Sequence, residues 1–389
     1  MIFNGANDEI FCNFAPKTTK AMQFSEYKID QTTAKISEFN GEIHAIVTTN
    51  DATFTFAEQL AKVRGGISAI LAKNSGYVPV FVRLLLSDAA NQAELAVKEI
   101  RQVSGNAAVA YIQQAPLHGA KIAALAYLRK GVEVERVDDI TVKVAADGFT
   151  HFYTANVTNH IANTYDETVR QLEYLENLLE ANNLNIADHC IRTWFYVQNI
   201  DVNYAAVVKA RRENFNENNL TVDTHYISST GICGRHADKD VTSVMDAYCV
   251  GGISQDQIKF LYAADHLNRT SDYGVTFERG TAVDFPDRRH VIISGTASID
   301  NKGQIVAPGD IKAQTFRMIE NVRALLSEGG ASFTDIAHIV CYLRDVADYQ
   351  VVSAIMHDTF PNVPMVITLA PVCRPGWLIE MECMAVVSK

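Results

Sequence analysis

A chain of 389 residues, 48% apolar and 20% charged, suffices for two or three domains with proper cores. Its net charge of −11 excludes a general nucleic-acid binder, which needs a basic face to release counterions. No apolar run approaches the roughly 20 residues that cross a bilayer, so no membrane partner is expected.

Taken in chain order, residues 1–40 read as an N-terminal extension, and Met1–Gly5 lacks the basic and apolar regions of a signal peptide. Residues 41–130 then alternate elements. A hairpin near Glu42 to Thr53 is followed by a helix over Phe56–Lys73, a strand over Val78–Asp88, a helix over Ala89–Ile100, and two strands broken at Pro116. Residues 131–250 repeat the order: a hairpin near Val132 to Ala155, a helix around Leu172 and Leu175, a strand over His189–Ile200, a helix holding Tyr204 and Phe215, and a strand reaching Asp246. Gly251-Gly252 and polar content mark 251–275 as a connector. Residues 276–389 repeat the order a third time, with a hairpin over Phe277–Ile305, a helix around Phe316 and Ile319, Tyr349 and Phe360 on the next helix, and a last strand bearing Glu380. Leu125 falls where Glu380 does, and Asp246 is the second copy's counterpart, so the first copy is degenerate. Helices between strands predict an α/β (α+β) fold of three modules, each a mixed sheet with its helices on one face.

The third copy carries a recognisable set of residues: Ile293-Ser294-Gly295-Thr296-Ala297-Ser298-Ile299-Asp300, Gly303, Gly309-Asp310-Ile311, Gln314, Asn321, Phe360-Pro361 and Ile379-Glu380-Met381-Glu382. This pattern resembles the RidA (YjgF-like) family, which implies a chorismate-mutase-like fold and trimers with ligand clefts between units. Three copies in one chain then imply a single-chain pseudo-trimer. RidA imine deaminases carry an Arg soon after the Phe-Pro pair; here Phe360-Pro361-Asn362-Val363-Pro364-Met365 has none. A longer stretch, with Arg192-x-Trp194-x-Tyr196, Tyr204, Arg211 to Phe215, Thr230-Gly231-Ile232, Gly234-Arg235, Met245-Asp246, Phe277-x-Arg279-Gly280 and Cys373-Arg374-Pro375, is similar to the chorismatases, multi-module relatives that release pyruvate from chorismate. Phe195 departs from that family's Asn between the Trp and Tyr of its first motif, and Tyr262-Ala263-Ala264-Asp265-His266-Leu267 is short of two tyrosines.

Cleaving an enolpyruvyl ether begins with protonation of its terminal methylene carbon, which a carboxylic acid in a dry pocket performs once burial raises its pKa. Glu380, flanked by Ile379 and Met381, is the candidate acid, and Glu382 shares its strand face; the plain alternative is that one of these glutamates is a structural cap at the module interface. Two substrate carboxylates call for cationic clamps, and Arg374, Arg279, Arg235 and Arg192 stand on motif positions, although an intermodule salt bridge is the commoner fate of any arginine. Thr230 and Gly231 offer a hydroxyl and a backbone N–H, or simply a turn. Gly280 and Cys373 leave room beside a ring, and their pairing resembles the chorismatase branch that yields 3-hydroxybenzoate; the plain alternative for Cys373 is a small buried hydrophobe.

Seven cysteines, an odd number without a CxxC pair, read as reduced thiols in a cytoplasmic protein. Scattered histidines without HExxH predict neither metal nor cofactor. The expected activity is cofactor-independent cleavage of chorismate to pyruvate and a hydroxybenzoate. The alternatives are a RidA-type imine or enamine deaminase and a non-catalytic small-molecule-binding protein. A small anionic substrate is the expected partner, and the expected state is a monomer, with a dimer through exposed sheet edges as the alternative.

Overall fold

The computed structural model describes residues 21–161 and 163–389. Three six-stranded sheets repeat one topology. The first contains β1 (Gln23–Ile29), β2 (Thr32–Phe39), β3 (Glu42–Thr49), β4 (Tyr77–Leu86), β5 (Ala108–Gln113) and β6 (Ile122–Lys130), in the order β1-β2-β3-β6-β4-β5. The second contains β7 (Glu135–Arg136), β8 (Thr141–Ala146), β9 (Phe149–Val157), β10 (Cys190–Val197), β11 (Ser228–Cys233) and β12 (Ser243–Gly251), ordered β7-β8-β9-β12-β10-β11. The third contains β13 (Ile258–Leu261), β14 (Gly280–Asp284), β15 (Arg288–Ala297), β16 (Ile336–Leu343), β17 (Met365–Leu369) and β18 (Ile379–Ser388), ordered β13-β14-β15-β18-β16-β17. In each sheet the last two strands in space pair parallel through a helical crossover and the other pairs are antiparallel.

The helices are α1 (Phe56–Lys73) and α2 (Ala89–Ser104) in the first module, α3 (Thr164–Glu180), α4 (Ile186–His189) and α5 (Ile200–Glu217) in the second, and α6 (Ile311–Glu328) and α7 (Tyr349–Thr359) in the third. Their sequences dictate this. Thr55 and Glu58 form a capping box at the start of α1, and Leu60, Val63, Ile67 and Ile70 recur at helical spacing to form its buried stripe. Asp310 caps α6 by accepting from the Ala313 N–H, and Met318, Val322 and Leu325 pack its inner face.

Two boundaries differ from the sequence reading. Residues 23–39, assigned to an extension, form β1 and β2; they alternate polar and apolar weakly because β1 is an edge strand with only partial burial. Residues 258–261, assigned to a connector, form the edge strand β13. Residues 1–20 of the extension lie outside the described residues.

The modules close into a ring by one repeated contact. The Gln113 N–H at the end of β5 donates to the Arg235 carbonyl at 2.9 Å, the Cys233 N–H at the end of β11 to the Pro371 carbonyl at 3.1 Å, and the Leu369 N–H at the end of β17 to the Ala115 carbonyl at 2.9 Å. Each module thus hands its edge strand to the loop of the next, which caps an otherwise exposed sheet edge.

The same register corrects the pairing of acids between modules. The Ser87, Gln198 and Arg344 N–H groups donate to the carbonyls of Lys121, Thr242 and Leu378, at 2.9, 2.9 and 3.1 Å. Counting along β6, β12 and β18 from those carbonyls, Leu125, Asp246 and Glu382 share a position, while Glu380 aligns with Ala123 and Val244. Asp246 is therefore the counterpart of Glu382. The sequence alignment was shifted by two residues, which preserves strand face and so leaves no mark on the hydrophobic pattern.

The inner faces of the sheets meet around an axial cavity of about 80 Å³, bordered by His44, Tyr127, Arg192, Trp194, His290 and His338. Members of two buried ion networks line it. In one, Arg83 meets Asp246 at 2.9 Å and Arg192 meets Glu382 at 2.8 Å. In the other, Glu42 meets Arg129, Arg288 and His290 at 2.7 to 2.9 Å. Among the described residues no helix is long and apolar enough to cross a membrane.

Candidate active site

Glu380 opens into a cleft between the second and third modules, at the junction made by Cys233 and Pro371. The second module contributes Tyr204 and Arg211 from α5 and Ser229 and Gly231 from β11. The third contributes Phe277, Arg279, Gly295, Ala297, Cys373, Arg374, Trp377 and Glu380. Helical spacing sets the first pair: Tyr204 and Arg211 lie seven residues, two turns, apart on one face.

The cleft places two carboxylates in opposite states. Burial pushes the Glu380 carboxyl up to about 8, repulsion from Glu382 adds to this, and Arg192 and Arg279 pull it back only in part. Burial acts upward on Glu382 as well, but there Arg192, Arg83 and hydrogen bonds from Thr230 and Trp194 outweigh it and hold the carboxyl below its ordinary value. The Thr230 hydroxyl donates to Glu382 at 2.6 Å and the Trp194 indole N–H at 2.9 Å. Glu382 is thus a fixed anion that keeps its neighbour protonated at neutral pH.

Three guanidiniums line the cleft with Glu380. Arg211 is 1% exposed; its Nε donates to the Thr276 hydroxyl and its Nη1 to the Ser229 hydroxyl, both at 3.3 Å, while Nη2 is buried without a hydrogen-bond partner. Arg279 is oriented by the Asn268 carbonyl and side chain at 3.1 Å and lies over the Phe277 ring. Arg374 lies over the Trp377 ring at 5.3 Å. Two glycines make room for this constellation. A Cβ on Gly295 would stand 2.0 Å from Glu380 Oε1, and one on Gly231 would stand 2.6 Å from the Tyr204 ring.

Of the residues singled out from sequence, the cleft brings together Glu380, Arg374, Arg279, Gly231 and Cys373. Arg192 and Thr230 stand behind it. The Arg192 guanidinium donates to Ser294 and Glu382, and the Thr230 hydroxyl accepts the Gly295 N–H at 2.9 Å while donating to Glu382, so neither is a substrate clamp. Alternation along β11 decides this, since Ser229 and Gly231 face the cleft and Thr230 does not. Arg235 belongs to a different junction, between the first and second modules, where its carbonyl caps β5. Gly280 turns from the cleft; a Cβ there would meet the Ile292 carbonyl at 2.9 Å and the side chains of Leu261 and Ile293. Arg211, Tyr204, Phe277 and Trp377 were not assigned to the site from sequence, although the first three lay within the chorismatase-like motifs.

Burial, then the charge of Glu380, pushes the Cys373 thiol up to about 12, against smaller opposing effects of Arg374 and Tyr204. It is a protonated wall, not a nucleophile. A brief iodoacetamide pulse at pH 7.5 is expected to leave Cys373 unmodified in the native protein and to alkylate it in urea, read by peptide mass spectrometry. Among the described residues no cluster of three or more His, Cys, Asp or Glu is placed to hold a metal ion.

Comparison with known proteins agrees with this architecture. The family described as "Endoribonuclease L-PSP" matches residues 281–387. A RutC family protein of Pyrococcus abyssi is 34% identical over 97 residues, which span 24% of this chain and 76% of that protein. The chain belongs to the RutC family. The 3-aminoacrylate deaminase RutC of Acinetobacter baylyi is 34% identical over 72 residues, 18% of this chain and 57% of that protein. A crystal structure of a chorismatase superposes with a TM-score of 0.62 at 16% identity, covering 79% of this chain and 93% of that one. At that identity the likeness is one of fold: a RidA-superfamily chain in which three modules build a chorismatase-like pseudo-trimer.

Proposed function

We propose that this RutC-family chain is a cofactor-independent enzyme that cleaves the enolpyruvyl ether of chorismate to pyruvate and a hydroxybenzoate. The observation that carries the reading is a fully buried carboxyl, Glu380, pushed up to about 8 by burial, in one cleft with Arg211, Arg279 and Arg374. Glu380 donates its proton to the methylene carbon of the enolpyruvyl group, and the resulting oxocarbenium ion is stabilised by the carboxylate left behind and by Glu382 beyond it. Water adds to the oxocarbenium carbon and returns a proton to Glu380. The hemiketal then collapses to pyruvate and the ring diol. The diol eliminates its other hydroxyl, together with the hydrogen on the carbon bearing the new alcohol, as water, so that the ring becomes aromatic and no net water is consumed. The arginines hold the two carboxylates, with Arg211 Nη2 as an unspent donor. The cavity is only about 20 Å³, so a ring-sized substrate enters by moving the Arg374 and Trp377 side chains on the loop before β18. Cys373 on the ring wall favours 3-hydroxybenzoate as the product; Gly280, which faces the core, carries no part of that preference. A ring closed within one chain favours a monomer, and free thiols at the described cysteines fit a cytoplasmic setting.

The test is pyruvate release from chorismate, coupled to lactate dehydrogenase, with chromatography of the aromatic product. Turnover yielding 3-hydroxybenzoate supports the reading; a folded protein that releases no pyruvate overturns it. Gly295→Ala is expected to lower kcat by about 100-fold with little change in melting temperature, because the added methyl displaces Glu380 from its productive position. The second reading, an enamine deaminase, draws on the likeness to the 3-aminoacrylate deaminase. It predicts ammonia release from an oxidase-generated enamine, and the absence of an Arg after Phe360-Pro361 weighs against it.

A further inference from the structure

The junction between the third and first modules holds a second cleft, of about 480 Å³. The pairing register shows it to be built from the same positions as the Glu380 cleft. Thr48 pairs with Ala123 as Ala297 pairs with Glu380. Ile367 pairs with Cys341 on the parallel crossover as Gly231 pairs with Phe195, each two residues before its strand end. Ile36 pairs with Ala45 as Gly280 pairs with Ile293, which puts Lys35 in the place of Arg279. The place of Glu380 is taken by Ala123, so the proton donor is missing while a cation is retained.

We propose that this cleft is a non-catalytic binding site for a small ring-bearing carboxylate. Lys35 supplies the charge. Its ammonium donates to the Pro361 carbonyl at 3.1 Å, which fixes it at the cleft and leaves two of its three N–H donors for a carboxylate. Lys28, paired with Glu26 at 3.2 Å, lies on the same wall. Ile46, the cross-strand partner of Lys35, and on the facing module Ile367 and the Tyr349 ring make an apolar slot for a ring. The Thr48 hydroxyl, in contact with His118 Nε2, and the His357 imidazole offer polar contacts for ring substituents. The inference does not rest on chorismate cleavage, since it needs a cation, a slot and no acid.

Benzoate is the probe, titrated into the full-length protein by calorimetry and into protein with isotope-labelled histidine by NMR. In Arg279→Ala, which disables the Glu380 cleft, benzoate is expected to bind with a stoichiometry of one and to shift the ring signals of His118 and His357. Added to Arg279→Ala, Lys35→Ala is expected to weaken that binding at least about tenfold and to shrink both shifts at the same benzoate concentration. In the wild-type background it is expected to leave pyruvate release unchanged; Lys35→Met serves if the alanine variant does not fold. The proposal is overturned if saturating benzoate leaves His118 and His357 unshifted in folded Arg279→Ala protein, or if neither Lys35 variant weakens binding. Loss of pyruvate release from the wild type alone would sink the catalytic reading and leave this one standing.

Discussion

Glu380→Gln is expected to lower pyruvate release from chorismate by about 1,000-fold, within the range that general acid catalysis ordinarily supplies. The glutamine matches the carboxylic acid in shape and uncharged state, so Arg211, Arg279 and Gly295 keep their places and the fold is undisturbed. What disappears is the transferable proton. The pH profile of the wild type carries the same information. With the carboxyl pushed up to about 8, the donor is protonated below that pH, and kcat/KM is expected to fall as pH rises through it. The sign for stability is the same. A carboxyl whose folded pKa lies above its unfolded value is favoured in the native state while protonated, so its contribution is complete below the unfolded value of 4.5 and is lost as pH rises towards about 8. Across that window the wild type should lose stability relative to Glu380→Gln by roughly 1.4 kcal/mol per pH unit, measured by urea unfolding of both proteins in parallel. A variant that retains pyruvate release, or a wild-type profile flat from pH 6 to 9, would remove Glu380 from the chemistry.

The repeated order of elements was legible because each module writes it in two periods: strands as short Val/Ile/Leu runs, and helices with stripes such as Leu60, Val63, Ile67 and Ile70. Glu380 was legible because an acid between Ile379 and Met381 on a strand either caps a module interface or does chemistry, and both place it at a junction. The limits were geometric. A two-residue slip keeps every side chain on the same face, so the pattern allowed Asp246 to be matched with Glu380 when the hydrogen-bond ladder matches it with Glu382. Arg192 and Arg235 sit on motif positions as good as those of Arg279, and only the closure of the ring decides which arginine faces which junction. Arg211 was hidden for the opposite reason. It lies on α5 among polar neighbours, where an arginine reads as surface, and it is buried between Ser229 and Phe195 of its own module and Thr276 and Phe277 of the third. Edge strands β1 and β13 were missed because partial burial leaves little alternation to read.

Glu42→Ala is expected to destabilise the protein by about 3–5 kcal/mol, the usual consequence of removing one partner from a buried ion network. Glu42 is fully buried, and its oxygens accept from Arg129 and Arg288 at 2.7 and 2.8 Å and contact His290 at 2.9 Å. Arg129 and Arg288 also share Asp147 at 2.7 Å. Burial keeps the His290 imidazole below its ordinary pKa, and the two guanidiniums face Glu42, Asp147 and, from Arg288 alone at 2.7 Å, the half-exposed Asp287. Without Glu42 the two guanidiniums are left with Asp147 and Asp287, which are 31% and 52% exposed and screened by solvent. The members come from all three modules: Glu42 and Arg129 from the first, Asp147 from the second, Arg288 and His290 from the third. The lost energy is therefore energy of ring closure, not of one module. Burial raises the Glu42 carboxyl, yet His290, Arg288 and Arg129 together hold it well below the ordinary value of 4.5. A depressed carboxyl contributes stability that is present above the unfolded pKa and lost as pH falls through the folded one. The gap between wild type and Glu42→Ala should accordingly be full at pH 7 and shrink in acid, the reverse of the behaviour expected at Glu380. Urea unfolding of Glu42→Ala and of Asp147→Ala at pH 7 separates the two carboxylates, with the larger loss at the buried one. Equal stability of Glu42→Ala and wild type would show that the ring is held by its edge-strand contacts and apolar cores alone.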